Sequence, residues 1–393
     1  MAERLKILVL NEISPKGLAR LPAERYVAGK DVAAPDAVLV RSADMHKLDI
    51  AGSVRAIGRA GAGTNNIPVK AMSERGVPVF NAPGANANAV KELVLAGMLM
   101  AARNLSGALR FVDDLARDAG DLDKSVEQGK AAFAGFELAG QTLGIVGLGK
   151  VGCLVADAAI KLGMNVLGYD PDITVDAAWS LPSQVRKAVT VSEVLRNAQF
   201  VTLHVPLVDA TRDLVNADNI GLMQPGAVLL NFSREGVVNN AAVLASLESG
   251  QLGRYVCDFP SGPLLKHERI VCLPHLGAST REAEENCAVM VADQLRDYLE
   301  NGNVANAVNF PSVSMGRESA FRVAIANANV PNMLGQISTA MARAGLNIHN
   351  MVNKSRGDMA YTLVDVDSAV SDAVLDDIGA IAGVLSVRYL PAH

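Results

Sequence analysis

The sequence is short of several things, and each shortage removes a class of function. Four cysteines stand in 393 residues (Cys153, Cys257, Cys272 and Cys287), with no C-x-x-C and no paired cysteine–histidine set that would complete a metal site. That excludes a disulfide scaffold and a zinc module, implies no metal, and leaves reduced thiols. Positive charge is in deficit, at net −5, so no basic field draws nucleic acid or an anionic membrane. Any anionic ligand must be gripped by local arginines. No run of 18 apolar residues occurs, so no membrane span is expected. Met1-Ala-Glu-Arg-Leu-Lys-Ile moves straight into a strand pattern without a signal peptide, and a soluble cytoplasmic protein is expected. Internal repeats and low-complexity tracts are also missing.

What remains is ordinary globular composition, 50% hydrophobic and 20% charged, long enough for two or three domains at roughly 150 residues each. Short apolar runs at Lys6–Leu10, Ala37–Val40, Ala56–Ile57 and Val77–Phe80 alternate with helical stretches. This predicts a parallel sheet with helices on its faces. A helical pattern rich in Ala, Leu and Met runs from Ala85 to about Ala119, and the polar stretch Gly120–Gly129 reads as loop. A second α/β unit opens at Thr142, with strands LGIVG, NVLGYD, FVTLHV, AVLLNF, YVCDF and Ile270–Leu273, then a helix over Arg281–Glu300. Asn301-Gly-Asn-Val and Asn309-Phe-Pro-Ser-Val-Ser-Met-Gly read as a linker. From about Ser319 the order is βαββαβ, a ferredoxin-like unit, with helices over Asn332–Ala344 and Ser368–Ala382.

Gly147-Leu-Gly149-Lys-Val-Gly152 is a G-x-G-x-x-G that follows an apolar strand and opens a helix, with a second strand ending in Tyr169-Asp170. This is the whole dinucleotide-binding context. Gly147 permits the tight turn, Gly149 lets the backbone approach a pyrophosphate at the helix N-terminus, and Gly152 lets helix and strand pack closely. Asp170 would accept hydrogen bonds from ribose hydroxyls and repel a 2′-phosphate, which favours NAD over NADP.

Three polar residues follow apolar strands at the end where open α/β sheets bind ligands: Arg234, Asp258 and His275. An arginine read as buried at a strand end suits a bidentate grip on a carboxylate. His275 suits removal of an alcohol proton. Among the other histidines, His46, His267 and His393 sit in polar or terminal segments, His349 lies in the third unit, and His204 ends a strand and could line a cofactor.

GLGKVG, LHVPL (Leu203–Leu207), NFSREGVVN (Asn231–Asn239) and PHLGAST (Pro274–Thr280) together resemble the D-isomer-specific 2-hydroxyacid dehydrogenases. GRAGAGTNNI (Gly58–Ile67), VFNAPGANANAVKELVL (Val79–Leu95) and the C-terminal unit resemble the members of that family whose substrate is a small phosphorylated 2-hydroxy acid. The implied architecture is a Rossmann-type NAD domain (96–281) inserted in a flavodoxin-like substrate domain (1–95 and 282–308), with a C-terminal ferredoxin-like ACT domain (318–393) and the active site in the cleft between lobes. The resemblance implies Arg234 and His275 as the catalytic pair. It implies that NAD is held by Gly147, Gly149, Lys150, Val151, Gly152 and Asp170, then by His204, Pro206 and Thr211. Phe232, Ser233, Asp258, His275 and Gly277 complete the cofactor set. Arg41, Arg59, Ala62, Gly63 and Arg234 are the implied substrate contacts.

Asn327, Asn329 and Asn347 match positions where such regulatory domains bind an amino acid, serine in related dehydrogenases. A homodimer or homotetramer is implied. One departure stands out: the family's glutamate shortly after the aspartate, which orients the histidine, is absent from Asp258-Phe-Pro-Ser-Gly-Pro. Glu268 and Asp258 are the nearest acids in sequence to stand in for it, since an unpartnered imidazolium loses a stabilising charge. Lys91 is unusual at its place in the helix. The alternatives are another D-2-hydroxy acid substrate and, from a different class, an NAD-sensing binding protein without turnover.

Overall fold

The short apolar runs become the strands of two parallel sheets in the computed structural model of the chain, which describes residues 4–115 and 121–392. β1 (Leu5–Leu10), α1 (Pro15–Leu18), β2 (Tyr26–Gly29), β3 (Ala37–Val40), β4 (Ala56–Arg59), α2 (Val69–Glu74) and β5 (Val79–Phe80) come first. The five strands lie in the order β2-β1-β3-β4-β5, the flavodoxin-like order. β3 is buried throughout, as strands covered on both faces must be.

Next come α3 (Ala87–Ala102), α4 (Leu105–Leu115) and α5 (Leu122–Gly129). The expected single helix from Ala85 is broken: Asn104 takes a left-handed φ of 51°, which ends α3 and starts α4 in a new direction. Ala119 and Gly120, in the expected helix and loop, lie outside the described residues. The rest of the expected loop is helical. Asp121 accepts from the Lys124 N–H at 3.2 Å and so satisfies an orphan donor of α5.

The seven-stranded sheet is built from β6 (Thr142–Val146), β7 (Asn165–Tyr169), β8 (Arg186–Lys187), β9 (Phe200–Leu203), β10 (Ala227–Asn231), β11 (Leu252–Cys257) and β12 (Ile270–Cys272). Its helices are α6 (Lys150–Lys161), α7 (Val175–Ser180), α8 (Val191–Asn197) and α9 (Asn240–Glu248). The order is β12-β11-β10-β9-β6-β7-β8, with every pairing parallel. Sequence order reverses direction between β6 and β9, the topological switch point where such sheets bind nucleotides. In α6 the buried residues Gly152, Val155, Ala156 and Ala159 recur at helical spacing and turn one face to the sheet.

The remaining elements are α10 (Arg281–Asn301), β13 (Phe321–Ala328), α11 (Met333–Arg343), β14 (Ile348–Arg356), β15 (Met359–Val366), α12 (Asp372–Gly379) and β16 (Val384–Pro391). The last six form the expected βαββαβ unit as an antiparallel sheet, β14-β15-β13-β16. α12 is shorter than expected, because residues 368–371 form no helix.

The chain divides into two compact units, Ala87–Thr280 and a discontinuous unit of Met1–Asn86 with Arg281–His393. The antiparallel sheet therefore shares a unit with the first parallel sheet. Period-two alternation explains how. Val323 and Ile325 of β13 pack on Ile337 and Met341 of α11. Ala324 and Ala326 face the other way, into a core with Tyr298, Phe310 and Phe80. Arg322 and Asp365 are fully buried and joined by bonds of 2.6 and 2.9 Å. The same guanidinium donates to the carbonyls of Asn301, Met315 and Gly316, which ties β13 and β15 to the end of α10. Arg388 adds a cation stacked 4.5 Å from the Tyr298 ring centroid.

Candidate active site

In a parallel sheet all carboxyl ends lie along one edge. The turns after β6, β7, β9, β10, β11 and β12 therefore bring Gly147, Asp170, His204, Arg234, Asp258 and His275 to the same side of the seven-stranded sheet.

Gly147 has φ 94°, and a Cβ there would lie 2.5 Å from the His204 carbonyl oxygen. A Cβ on Gly152 would meet the Gly147 carbonyl oxygen at 2.1 Å, so α6 packs directly on the turn. A Cβ on Gly149 would meet nothing within 4 Å, which leaves open space in front of that backbone. Gly149 caps α6 with no side-chain hydrogen bond. The first N–H groups of α6, from Lys150, Val151 and Gly152, thus face outward as an anion cradle. This arrangement fits the pyrophosphate of a dinucleotide.

Asp170 does more than the sequence suggests. One carboxylate oxygen accepts from the Leu148 N–H at 2.8 Å and the other from the Asp172 N–H at 2.9 Å. It braces the glycine turn and still presents lone pairs for a ribose. His204 bonds Thr202 through Nε2 at 3.1 Å, and burial pushes its imidazole down to about 4, so it is neutral at physiological pH. Thr211 folds its own loop: its hydroxyl donates to the Pro206 carbonyl and accepts from the Val208 N–H at 2.9 Å.

Several expected cofactor contacts are spoken for. The Phe232 side chain is buried in the core under α3, where a Cβ on Gly97 would touch its ring at 2.9 Å. Only its backbone can meet a ligand. The Ser233 hydroxyl donates to Asn231 Oδ1 at 2.9 Å.

Arg234 and His275 are held differently. Arg234 is exposed, which corrects the expectation of a buried arginine. Asn231 steadies its backbone by donating to the Arg234 carbonyl at 2.9 Å. Its guanidinium spends Nη1 on the Ser233 carbonyl at 2.6 Å and keeps further donors for a ligand. His275 is exposed, with φ 58°, a left-handed conformation that costs roughly 1–2 kcal/mol.

Asp258 compensates for that strain. It is 1% exposed, and its two oxygens accept from the N–H groups of Leu276 at 2.7 Å and Gly277 at 2.8 Å. The carboxylate therefore fixes the turn that carries His275 and is not hydrogen-bonded to the imidazole itself. The other sequence candidate, Glu268, is exposed and acts on Arg254. Among the described residues no carboxylate hydrogen-bonds His275. Its neighbour is the Phe259 ring, edge-on with centroids 5.1 Å apart. Sequence reasoning passed over Phe259 and Asn231. The signals were present, an aromatic directly after Asp258 and a polar residue closing an apolar strand.

Arg41 and Arg59 stand at the carboxyl ends of β3 and β4 in the other unit. Arg41 is ion-paired with Glu284 at 2.5 Å, and Arg59 Nε donates to the Arg41 carbonyl at 3.0 Å. The Ala62 carbonyl accepts from Asn81 at 2.6 Å, which shapes the turn containing Gly63. Lys91, on α3, donates to Asn88 at 2.7 Å. In the antiparallel sheet Asn329 donates to the Gly357 carbonyl at 3.0 Å, and the Asn347 N–H donates to Asp367 at 3.1 Å. Asn327 is buried, with an amide oxygen that has no partner among the described residues.

A Rossmann order, a cradled glycine turn and an Arg–His pair on one edge define a nucleotide-dependent dehydrogenase of hydroxy acids. The family model for the D-isomer specific 2-hydroxyacid dehydrogenase NAD-binding domain matches residues 97–277, and the chain belongs to that family. The relatives that it resembles along its length bear the name D-3-phosphoglycerate dehydrogenase. That of Escherichia coli K12 is 32% identical over 359 residues, 87% of this chain and 83% of that protein. That of Methanocaldococcus jannaschii is 35% identical over 287 residues, 71% of this chain. The chain spans about half the length of the archaeal relative, 52% of it.

Among solved structures, TT0316 of Thermus thermophilus is 26% identical with TM-score 0.64, covering 77% of this chain and all of that one. The NAD+-bound 3-phosphoglycerate dehydrogenase of Entamoeba histolytica shares the fold at 24% identity, TM-score 0.60, over 78% of this chain and 99% of that one. Among the described residues no helix is long and apolar enough to cross a membrane.

Proposed function

We propose that the chain oxidises 3-phosphoglycerate to 3-phosphohydroxypyruvate with NAD, the first step of serine biosynthesis. The observation that carries this reading is that the exposed Arg234 and a His275 turn anchored by Asp258 follow strands β10 and β12 of one sheet, at the same edge as the glycine cradle. Arg234 presents a planar fork to the substrate carboxylate. The His275 imidazole removes the proton of the C2 hydroxyl. When bound, NAD supplies the acceptor for the C2 hydrogen and its electron pair. Gly149 and the first turn of α6 hold the pyrophosphate, and Asp170 the ribose. The segment Arg59–Gly63 is assigned to the substrate phosphate. Arg41, drawn toward Glu284, is the weaker candidate.

A homodimer or homotetramer goes with this reading. α4 buries no residue and leaves Leu109 64% and Val112 56% exposed. A second reading concerns control: serine binds the C-terminal, ACT-like unit near Asn327, Asn329 and Asn347, and the unpartnered Asn327 amide oxygen favours it.

The test is NADH formation at alkaline pH with 3-phosphoglycerate, D-lactate, D-glycerate and 4-phosphoerythronate at equal concentration, in wild type and His275→Ala. Turnover of 3-phosphoglycerate alone, lost in the variant, is expected. Equal turnover of the unphosphorylated acids would refute the phosphate assignment, and no turnover with retained NAD binding would favour a sensor. Activity unchanged across millimolar serine would remove the effector reading.

A further inference from the structure

Two cysteines at the reactive edge take no part in the chemistry above. Cys257 ends β11 and Cys272 ends β12, and these adjacent parallel strands hold them as register partners. Their sulfurs are 3.6 Å apart. Neighbouring strands run about 4.8 Å apart, inside the Cα separation that a disulfide spans. Cys257 is fully buried while Cys272 is partly exposed, so a reagent from solvent meets Cys272 first.

Both sulfurs terminate strands that feed the His275 turn. Cys257 Sγ also lies 3.6 Å from the Phe259 carbonyl as a hydrogen-bond donor, and the Phe259 ring abuts His275. Asp258, between them in sequence, holds the Leu276 and Gly277 N–H groups. Cys272 leads directly into Leu273-Pro274-His275.

We propose that Cys257 and Cys272 form a reversible disulfide site for low-molecular-weight disulfides, and that its closure displaces the turn carrying His275. The thiolate of Cys272 attacks one sulfur of a small disulfide, forms a mixed disulfide and releases one small thiolate. Cys257 then gives up its proton and attacks Cys272 Sγ, releasing the second small thiolate. Two protein thiols become one disulfide and the small disulfide becomes two thiols, so electrons and protons balance. The hydrogen bond between the two sulfurs lowers the pKa of Cys272, against a smaller opposing effect of burial. That same bond, then burial, raises the pKa of Cys257. The half-exposed sulfur is thus the attacking one and the buried sulfur the resolving one. Closure draws the sulfurs from 3.6 Å to about 2.05 Å and removes the donor to the Phe259 carbonyl.

The test incubates the full chain in glutathione buffers of graded oxidised-to-reduced ratio. Non-reducing peptide mapping by mass spectrometry is read beside NMR of 13C-labelled histidine rings, with the His275 signal assigned from His275→Gln. The expected result is a Cys257–Cys272 linked peptide lighter by two hydrogens, a shifted His275 signal, and recovery of both with dithiothreitol. Cys272→Ala and Cys257→Ala should each abolish the linked peptide; Cys272→Ala should leave the His275 signal insensitive to the buffer, and Cys257→Ala should stop at a glutathione mixed disulfide on Cys272. Both thiols still alkylatable in the most oxidising buffer, a linkage to Cys153 or Cys287 instead, or a linked pair with an unmoved His275 signal would each overturn the proposal. None of these readouts depends on which hydroxy acid is turned over.

Discussion

Arg234 and Arg322 both border apolar strands, and a sequence shows them as the same kind of residue. Their surroundings are opposite. Arg322 is fully buried and donates to both oxygens of Asp365 and to three backbone carbonyls. Every donor direction is used by the protein, so nothing is left for a ligand. Arg234 is exposed and gives one bond to the carbonyl before it. Burial of an arginine therefore marks a fastening between elements, and exposure with spare donors on a braced backbone marks a grip. The seven-stranded sheet and the antiparallel sheet differ along this line at these two arginines: one leaves donors open, and the other closes them.

The contrast can be broken by substitution. Arg322→Met leaves Asp365 charged and unpaired in the core, which should cost about 3–5 kcal/mol of stability; denaturant unfolding reads it, and an unchanged midpoint would mean the pair fastens nothing. Arg234→Ala should leave that midpoint within about 0.5 kcal/mol. It should lower kcat/KM by about a hundredfold, as loss of a charge-assisted pair worth roughly 3 kcal/mol would. Asp258→Asn lies between these, because it weakens two charge-assisted bonds to the His275 turn. A loss of about 1.5–3 kcal/mol, divided between stability and kcat, is expected, with KM for NAD nearly unchanged.

His204 sharpens the comparison through pH. Its folded-state pKa of about 4 lies below the unfolded value, near 6.5. The unfolded chain therefore takes up a proton that the folded chain refuses. Stability falls as pH drops through the window from about 6.5 to 4, at most by about 1.4 kcal/mol per pH unit. His204→Gln should flatten acid unfolding in that window. The smallest effect belongs to Glu268→Ala, whose rate and pH profile should match wild type, since that residue is exposed and makes no hydrogen bond to His275.

The cofactor half of the site was legible because its chemistry is local. Gly147, Gly149, Gly152 and Asp170 sit in one strand–turn–helix–strand unit where spacing alone sets geometry. For the proposed reacting half, the sequence placed Arg234 and His275 after their strands and did not show their surroundings. Arg234 and His275 follow the right strands, yet the exposure of Arg234 and the use of Asp258 as a backbone anchor depend on contacts across strands. α5 hid in a polar stretch because its formation rests on the Asp121 cap more than on apolar periodicity. The Arg322–Asp365 pair joins residues 43 apart in sequence, and no short-range pattern announces it. The merging of the antiparallel sheet with the first unit depends on Tyr298 and Phe310 meeting Ala324 and Tyr361, contacts between elements that read separately as helix, linker and new domain.

That merging has a consequence for how the chain is made. The segment 87–280 is continuous, so all of its core residues are available once it has left the ribosome. Those of the other unit are not. Its opening strands emerge first, yet α10 and β13–β16, which complete their core, are synthesised only after the whole intervening unit. During translation the first sheet waits with apolar surface uncovered, and Leu390 in the final strand is among the residues that seal it. A ribosome stalled before that strand would hold a finished nucleotide-binding unit tethered to an unfinished partner, a species for chaperones rather than for catalysis.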